Sequence, residues 1–141
     1  PEFGTIEDFR NLVKTAHDNG IYVILDWVPN HTGWDHVWTK SHPEYYVHDA
    51  DGSFHRASGM DDIIELDYKN PEMRLAMINA MKYWVKETNI DGFRCDLASW
   101  VEVDFWQQAH MGDDHYLYHD IRQFHWLCRG LPSCNSSDFW L

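Results

Sequence analysis

Residues 21–32 read IYVILDWVPNHT: five apolar or aromatic side chains run into Asp26, and Trp27, Val28, Pro29, Asn30 and His31 follow without a gap. Residues 21–25 show no polar alternation, the pattern of a parallel strand covered on both faces. A buried strand that ends in a cluster of polar groups suits a fold in which strand ends face a ligand.

Working outward, Thr5 and Asp8 have the spacing of a capping box. Ile6, Phe9, Leu12, Val13 and Ala16 then recur on one helical face, and Asn19-Gly20 supplies a left-handed stop, so a helix is expected over 5–18. Residues 27–70 are punctuated by Pro29, Gly33, Pro43, Gly52 and Gly59 and are rich in Trp, Tyr, His and Asp. They read as a long irregular insertion, functional rather than disordered. Asn70-Pro71-Glu72 is an N-cap with Pro at the first helical position, and Leu75, Ile78, Met81, Trp84 and Val85 give the next helix its apolar face as far as 88. A strand over 92–95 ends in Asp96, and residues 103–109 open a further helix. Helix, strand, insertion, helix, strand, helix is the order of βα units around a parallel sheet. In such folds ligands bind beyond the carboxyl ends of the strands, which is where Asp26, Asn30, His31, Arg94 and Asp96 fall.

Composition narrows the partners. With 141 residues, 44% of them hydrophobic, the chain has enough apolar material for one globular core. It begins at Pro1 in what reads as the end of a loop, so a cut from something longer is expected. The net charge of −12, with only 11 scattered Lys and Arg, disfavours a nucleic-acid partner. No apolar run approaches a membrane span, so no membrane partner is expected, and the compartment stays open. Cys95, Cys128 and Cys134 match neither a disulfide framework nor a zinc pattern.

The second strand reads DGFRCD, and strand alternation puts Arg94 and Asp96 on one face. A neighbouring guanidinium holds a carboxylate ionised, as a nucleophile requires. Spacing alone fits a structural ion pair equally well.

These residues resemble a known family. DWVPNH is similar to the DxxxNH signature of the α-amylase family, glycoside hydrolase family 13, at the end of the third barrel strand, and GFRCD to its GxRxD signature at the end of the fourth. IIELDYKNPEMR resembles the stretch leading from the family's insertion into the third helix, and the chain resembles in particular the bacterial α-amylases and neopullulanase-like members with a short insertion domain. The resemblance implies a partial (β/α)8 TIM barrel over 1–109, from the second helix through the fourth, with 27–70 as the insertion after the third strand.

It further implies Asp96 as the nucleophile that forms a glycosyl intermediate and Arg94 as the group that orients it. His31 would hydrogen-bond sugar hydroxyls, Asp26 would brace the strand end, and Asn30 would occupy a calcium-ligand position. Two positions depart from the pattern. Ser99 and Trp100 stand where many members carry Lys-His, which puts Trp100 at a substrate contact without the usual lysine. Glu65 stands where an insertion Asp often completes the calcium site. The substrate implied is an α-glucan or maltooligosaccharide.

Retaining glycosidases need a second carboxyl group about 5 Å from the nucleophile. Residues 121–137 contain no Asp or Glu, which leaves Asp120 as the nearest substitute in sequence. Residues 110–141 match the family nowhere and are expected to be foreign to the domain. The expectation is therefore a fragment of a retaining α-glucan-active hydrolase, inactive as this chain. Two alternatives stay open: a sugar-binding relative without catalysis, and an unrelated barrel hydrolase with a metal held by loop residues such as Asp35, His36, His42 and His48. Trp27, Trp34, Trp38, Tyr45 and Tyr46 suit either stacking on sugar rings or packing of the insertion.

Overall fold

The computed structural model describes residues 3–56, 59–110 and 125–128, the last stretch as backbone only. Helix α1 spans Ile6–Asp18. The Thr5 hydroxyl accepts from the Asp8 amide at 3.2 Å and the Asp8 carboxylate accepts from the Thr5 amide at 2.7 Å, completing the expected capping box. Strand β1, Ile24–Trp27, leads to β2, His31–Gly33. A short helix α2, Trp38–Ser41, and a 3-10 turn at Pro43–Tyr45 precede β3, Ile63–Glu65. Helix α3 covers Pro71–Thr88, and β4, Gly92–Cys95, is followed by α4, Val103–His110, and β5, His125–Cys128.

Helix α3 starts where Asn70 Oδ1 accepts from the amides of Glu72 and Met73, at 2.9 and 3.2 Å. It stops at Asn89, which is left-handed at φ 58°. Helices α1 and α3 are clamped together by Arg10, whose Nη2 lies 2.7 Å from Glu87 Oε2, and by Phe9 packed edge-on against Trp84. Asp91 joins this layer to the sheet: its Oδ2 accepts from the Val23 amide at 2.7 Å and lies 2.8 Å from His17 Nε2.

Strands β1 and β4 pair in parallel, with Asp26 opposite Arg94 and Trp27 opposite Cys95. Phe93 and Cys95 alternate with Arg94 and lie in the core together with Ile78, Met81 and Val85 of α3. One face of β4 thus meets helix, and the other carries the polar strand end.

Four expectations are corrected. The first strand begins at Ile24 rather than Ile21, because Val23 is held by Asp91 and the ladder with β4 starts one residue later; Ile21 and Tyr22 are exposed. Nor is β1 covered on both faces: Ile24, Leu25 and Trp27 are only half-buried, because β4 is its sole strand neighbour among the described residues. The buried stripe of α3 runs through Met73, Met77, Ile78, Met81 and Val85, with Leu75 exposed, because the helix turns its three methionines inward. The insertion is not irregular throughout. Strands β2 and β3 pair antiparallel, His31 opposite Glu65, and Tyr45, Tyr46, Ile64 and Leu66 bury a small core beneath them. Strands of three residues are too short to show a period.

Strand β5 pairs antiparallel with β4 on the edge away from β1. The sequence reading places no element there, since 125–128 falls within the unmatched 110–141. An antiparallel segment satisfies the backbone edge of β4 as well as a parallel one would. Asp120 and Cys134 lie outside the described residues.

Candidate active site

Parallel register brings the two polar strand ends side by side. Arg94 Nη1 donates to Asp26 Oδ1 and Oδ2 at 2.9 and 3.1 Å, and Nη2 donates to Asp96 Oδ1 at 2.8 Å. One guanidinium therefore spans two carboxylates on neighbouring strands, and the two anions, Asp26 foremost, hold its charge firmly. The Asp96 backbone amide donates to the Trp27 carbonyl at 2.8 Å, so the end of β4 is fastened to β1 at the residue that carries the carboxylate.

The next residue, Leu97, is left-handed at φ 49°. A branched side chain in that region is strained by about 1–3 kcal/mol. The bend follows directly on Asp96, one residue past β4, and lets the chain turn at once into the 3-10 helix Ala98–Trp100. Sequence gives no warning of this, because Gly or Asn is the residue expected at such a turn.

His31 opens β2 and is half-buried. Its pKa is pushed down by burial, which the negative charges of Asp96 and then Asp62 partly oppose. The ring is neutral at pH 7, with one nitrogen able to donate and one to accept. Its Nδ1 lies 3.4 Å from the side-chain oxygen of buried Asn30. Beneath this pair, buried Tyr68 donates its hydroxyl to the Pro29 carbonyl at 2.7 Å, fixing the turn from β1 into β2.

Of the sequence-predicted residues, the structure thus links Asp26, Arg94 and Asp96 directly and brings His31 and Asn30 to the same end of the sheet. Trp100 lies in the 3-10 turn that follows Asp96. With Asn30 it lines a neighbouring pocket of about 810 Å³ that includes Tyr46, Glu65, Tyr68 and Lys69 but none of Asp26, Arg94 or Asp96. Sequence reasoning missed Tyr68 and Asp62. No spacing rule marks either, because both act across the insertion.

Calcium takes about six to eight oxygen ligands. The Asn30 backbone carbonyl accepts from the Leu66 amide at 3.0 Å, and Glu65 lies 3.7 Å from His55 Nε2. Among the described residues no three His, Cys, Asp or Glu side chains gather as a metal site requires. This donor set does not fit a calcium cage. The loop histidines are engaged locally: the His36 ring accepts from the Trp38 amide at 3.2 Å, His42 lies 3.0 Å from Glu44, and His48 Nδ1 lies 2.9 Å from the Tyr46 carbonyl.

The chain is similar to known proteins along most of its length. The profile of the α-amylase catalytic domain matches residues 1–51 and 44–132, which extends past the boundary at 109 expected from the motifs. Alpha-amylase 3 of Dictyoglomus thermophilum is 29% identical, over 84% of this chain and 28% of its own length. The cyclomaltodextrinase of Thermoanaerobacter pseudethanolicus is 33% identical, over 77% of this chain and 22% of its own. Among solved structures, a noncanonic maltogenic alpha-amylase from Thermotoga neapolitana is 47% identical with a TM-score of 0.70, over 76% of this chain and 25% of that one. The chain spans about a quarter of the length of these relatives. With the profile covering most of its residues, the chain belongs to the α-amylase family, as a stretch of its catalytic domain.

Proposed function

We propose that this chain carries the nucleophile half of a retaining glycosidase site for α-glucosidic bonds, within a partial (β/α)8 barrel running from the second helix to the fourth. The observation that carries the reading is Arg94 bridging Asp26 and Asp96 at the ends of two parallel strands. Asp96 attacks the anomeric carbon. Arg94 holds the carboxylate in line and Asp26 holds Arg94. Neutral His31 hydrogen-bonds hydroxyls of the sugar at the reacting centre, and Trp100 offers an aromatic wall in the adjoining pocket. Substrates are α-glucans and maltooligosaccharides, as the names of the relatives suggest for those proteins. Calcium plays no part in this scheme.

A retaining mechanism also needs an acid to protonate the leaving oxygen. The sequence offers only Asp120 near the expected place, so the chain does not hydrolyse starch. A substrate whose leaving group needs no proton separates the two halves of the reaction. With α-maltosyl fluoride, an Asp96 oxygen attacks the anomeric carbon, the carbon–fluorine bond breaks, and fluoride departs with the bonding pair. Without a matched carboxylate to activate water, the maltosyl ester accumulates. Peptide mapping by mass spectrometry is expected to find the adduct on the peptide containing Asp96. An adduct elsewhere would overturn the nucleophile assignment. Maltose binding without any adduct would leave the sugar-binding relative as the correct reading.

A further inference from the structure

Trp34 sits immediately after β2 and is 43% exposed, yet its ring is not free to turn. The indole Nε1 donates to the Asp61 carbonyl at 3.0 Å. Arg56, itself paired with the Asp61 carboxylate, lies over the ring with Cζ 5.9 Å from its centroid. Phe54 leans against it at 6.1 Å, and Phe54 is anchored in turn against Tyr46 at 5.1 Å. The backbone is fixed as well. A Cβ on Gly33 would lie 2.9 Å from an Asp35 carboxylate oxygen, and the His36 amide donates to the Gly33 carbonyl at 3.3 Å, so the chain turns tightly at this point.

A large apolar surface left in water forgoes about 25 cal/mol per Å² of burial. An indole held at several points with much of its surface wet is preorganised for a ligand, since the ordering entropy is already spent. The surroundings say which kind. Asp35, Asp61 and Asp62 repel anions, and the Arg56 cation over the ring is neutralised by Asp61. A cationic ligand would have to displace Arg56 from the ring. An uncharged ring with an apolar face and hydroxyl edges fits without conflict, and a glucose unit is such a ring.

Position decides which unit. Trp34 lies three residues past His31, about 10 Å further along the backbone at the rise of an extended strand, which suits it to a different sugar unit. Asp61 and Asp62, adjacent in sequence, link the two places: one holds the indole and the other lies within electrostatic reach of His31.

We propose that Trp34 is an outer platform on which a glucose ring of a longer α-glucan stacks, remote from the unit held at His31. The proposal rests on the α-glucan reading of the site and extends it to chain-length preference. Binding of maltose and of maltohexaose to the intact chain, followed by isothermal titration calorimetry, tests it. Trp34→Ala is expected to weaken maltohexaose about tenfold, a loss of about 1.4 kcal/mol, and to leave maltose unchanged. Trp34→Phe, which keeps an aromatic face and loses the N–H, is expected to fall between. Unaltered maltohexaose binding in both variants overturns the platform and leaves the α-glucan reading standing. A wild-type chain that binds neither sugar overturns both. Equal losses for maltose and maltohexaose mean that Trp34 serves only the fold, which also overturns the platform.

Discussion

Phe105→Ala destabilises the chain by about 3–5 kcal/mol, the range for emptying a fully buried aromatic site. Phe105 is 0% exposed on the first turns of α4. It packs edge-on against Tyr68 with ring centroids 4.8 Å apart, against Trp106 at 5.1 Å, and under the Arg74 guanidinium at 5.8 Å. Helix α4 cannot close that volume, because its neighbours are themselves held: Arg74 by Asp104 at 2.9 Å and Trp106 by its N–H donated to the Ala98 carbonyl at 3.1 Å. A loss of this size is a large share of the roughly 5–15 kcal/mol that stabilises a small domain. It also reaches the site, since Tyr68 pins Pro29, one residue before Asn30 and two before His31. Urea titration checks it: the midpoint falls while the slope stays the same. A shift below about 1 kcal/mol, ordinary for a surface change, would mean that α4 does not pack on the insertion.

Arg94→Met is expected to slow maltosylation of Asp96 by α-maltosyl fluoride on the order of 10²-fold, the cost of misplacing a reacting group by about 1 Å. The variant leaves Asp26 and Asp96 facing each other at neighbouring strand ends with no cation between them. Their mutual repulsion turns Asp96 out of line. Arg94→Lys recovers only part of the rate, because an ammonium is a point charge and cannot span two carboxylates as the planar guanidinium does. Circular dichroism serves as the control, since Arg94 is partly exposed and outside the core cluster. An unchanged rate would reduce the Arg94–Asp96 contact to a structural ion pair.

The elements that sequence placed well are those with a local cause. Thr5 with Asp8 and Asn70 with Pro71 fix helix starts through bonds to their own first turns, and both helices begin where those residues direct. Arg94 and Asp96 share a strand face by alternation alone. What sequence could not show depends on contacts across the chain. The β2–β3 pair is specified by Ile63 and Ile64 meeting Gly33 and Thr32 from thirty residues away, in strands too short to carry a period. The inward face of α3 favours Met73 and Met77 over Leu75 because of what it packs against, and apolarity alone ranks these residues alike. Leu97 adopts a glycine-like conformation that its side chain argues against. For the candidate site, strand-end position and residue type carried most of the reading. The role of Tyr68 behind Pro29 needed three dimensions.

The central claim is that His31 and Asp96, sixty-five residues apart, face one cleft. NMR titration of the His31 ring in the wild-type chain and in Asp96→Asn tests it most directly. Burial depresses the wild-type pKa below the usual histidine value, while the Asp96 charge holds it up in part. Such a ring stays neutral as pH falls and the unfolded chain takes up the proton first, so His31 lends stability above its unfolded pKa and loses it as pH drops through that value toward the folded one. Removing the Asp96 charge leaves burial less opposed. The His31 pKa is predicted to fall further in Asp96→Asn, with a smaller fall in Asp62→Asn, whose charge is the weaker of the two. A His31 titration identical in the wild type and Asp96→Asn would contradict the shared cleft.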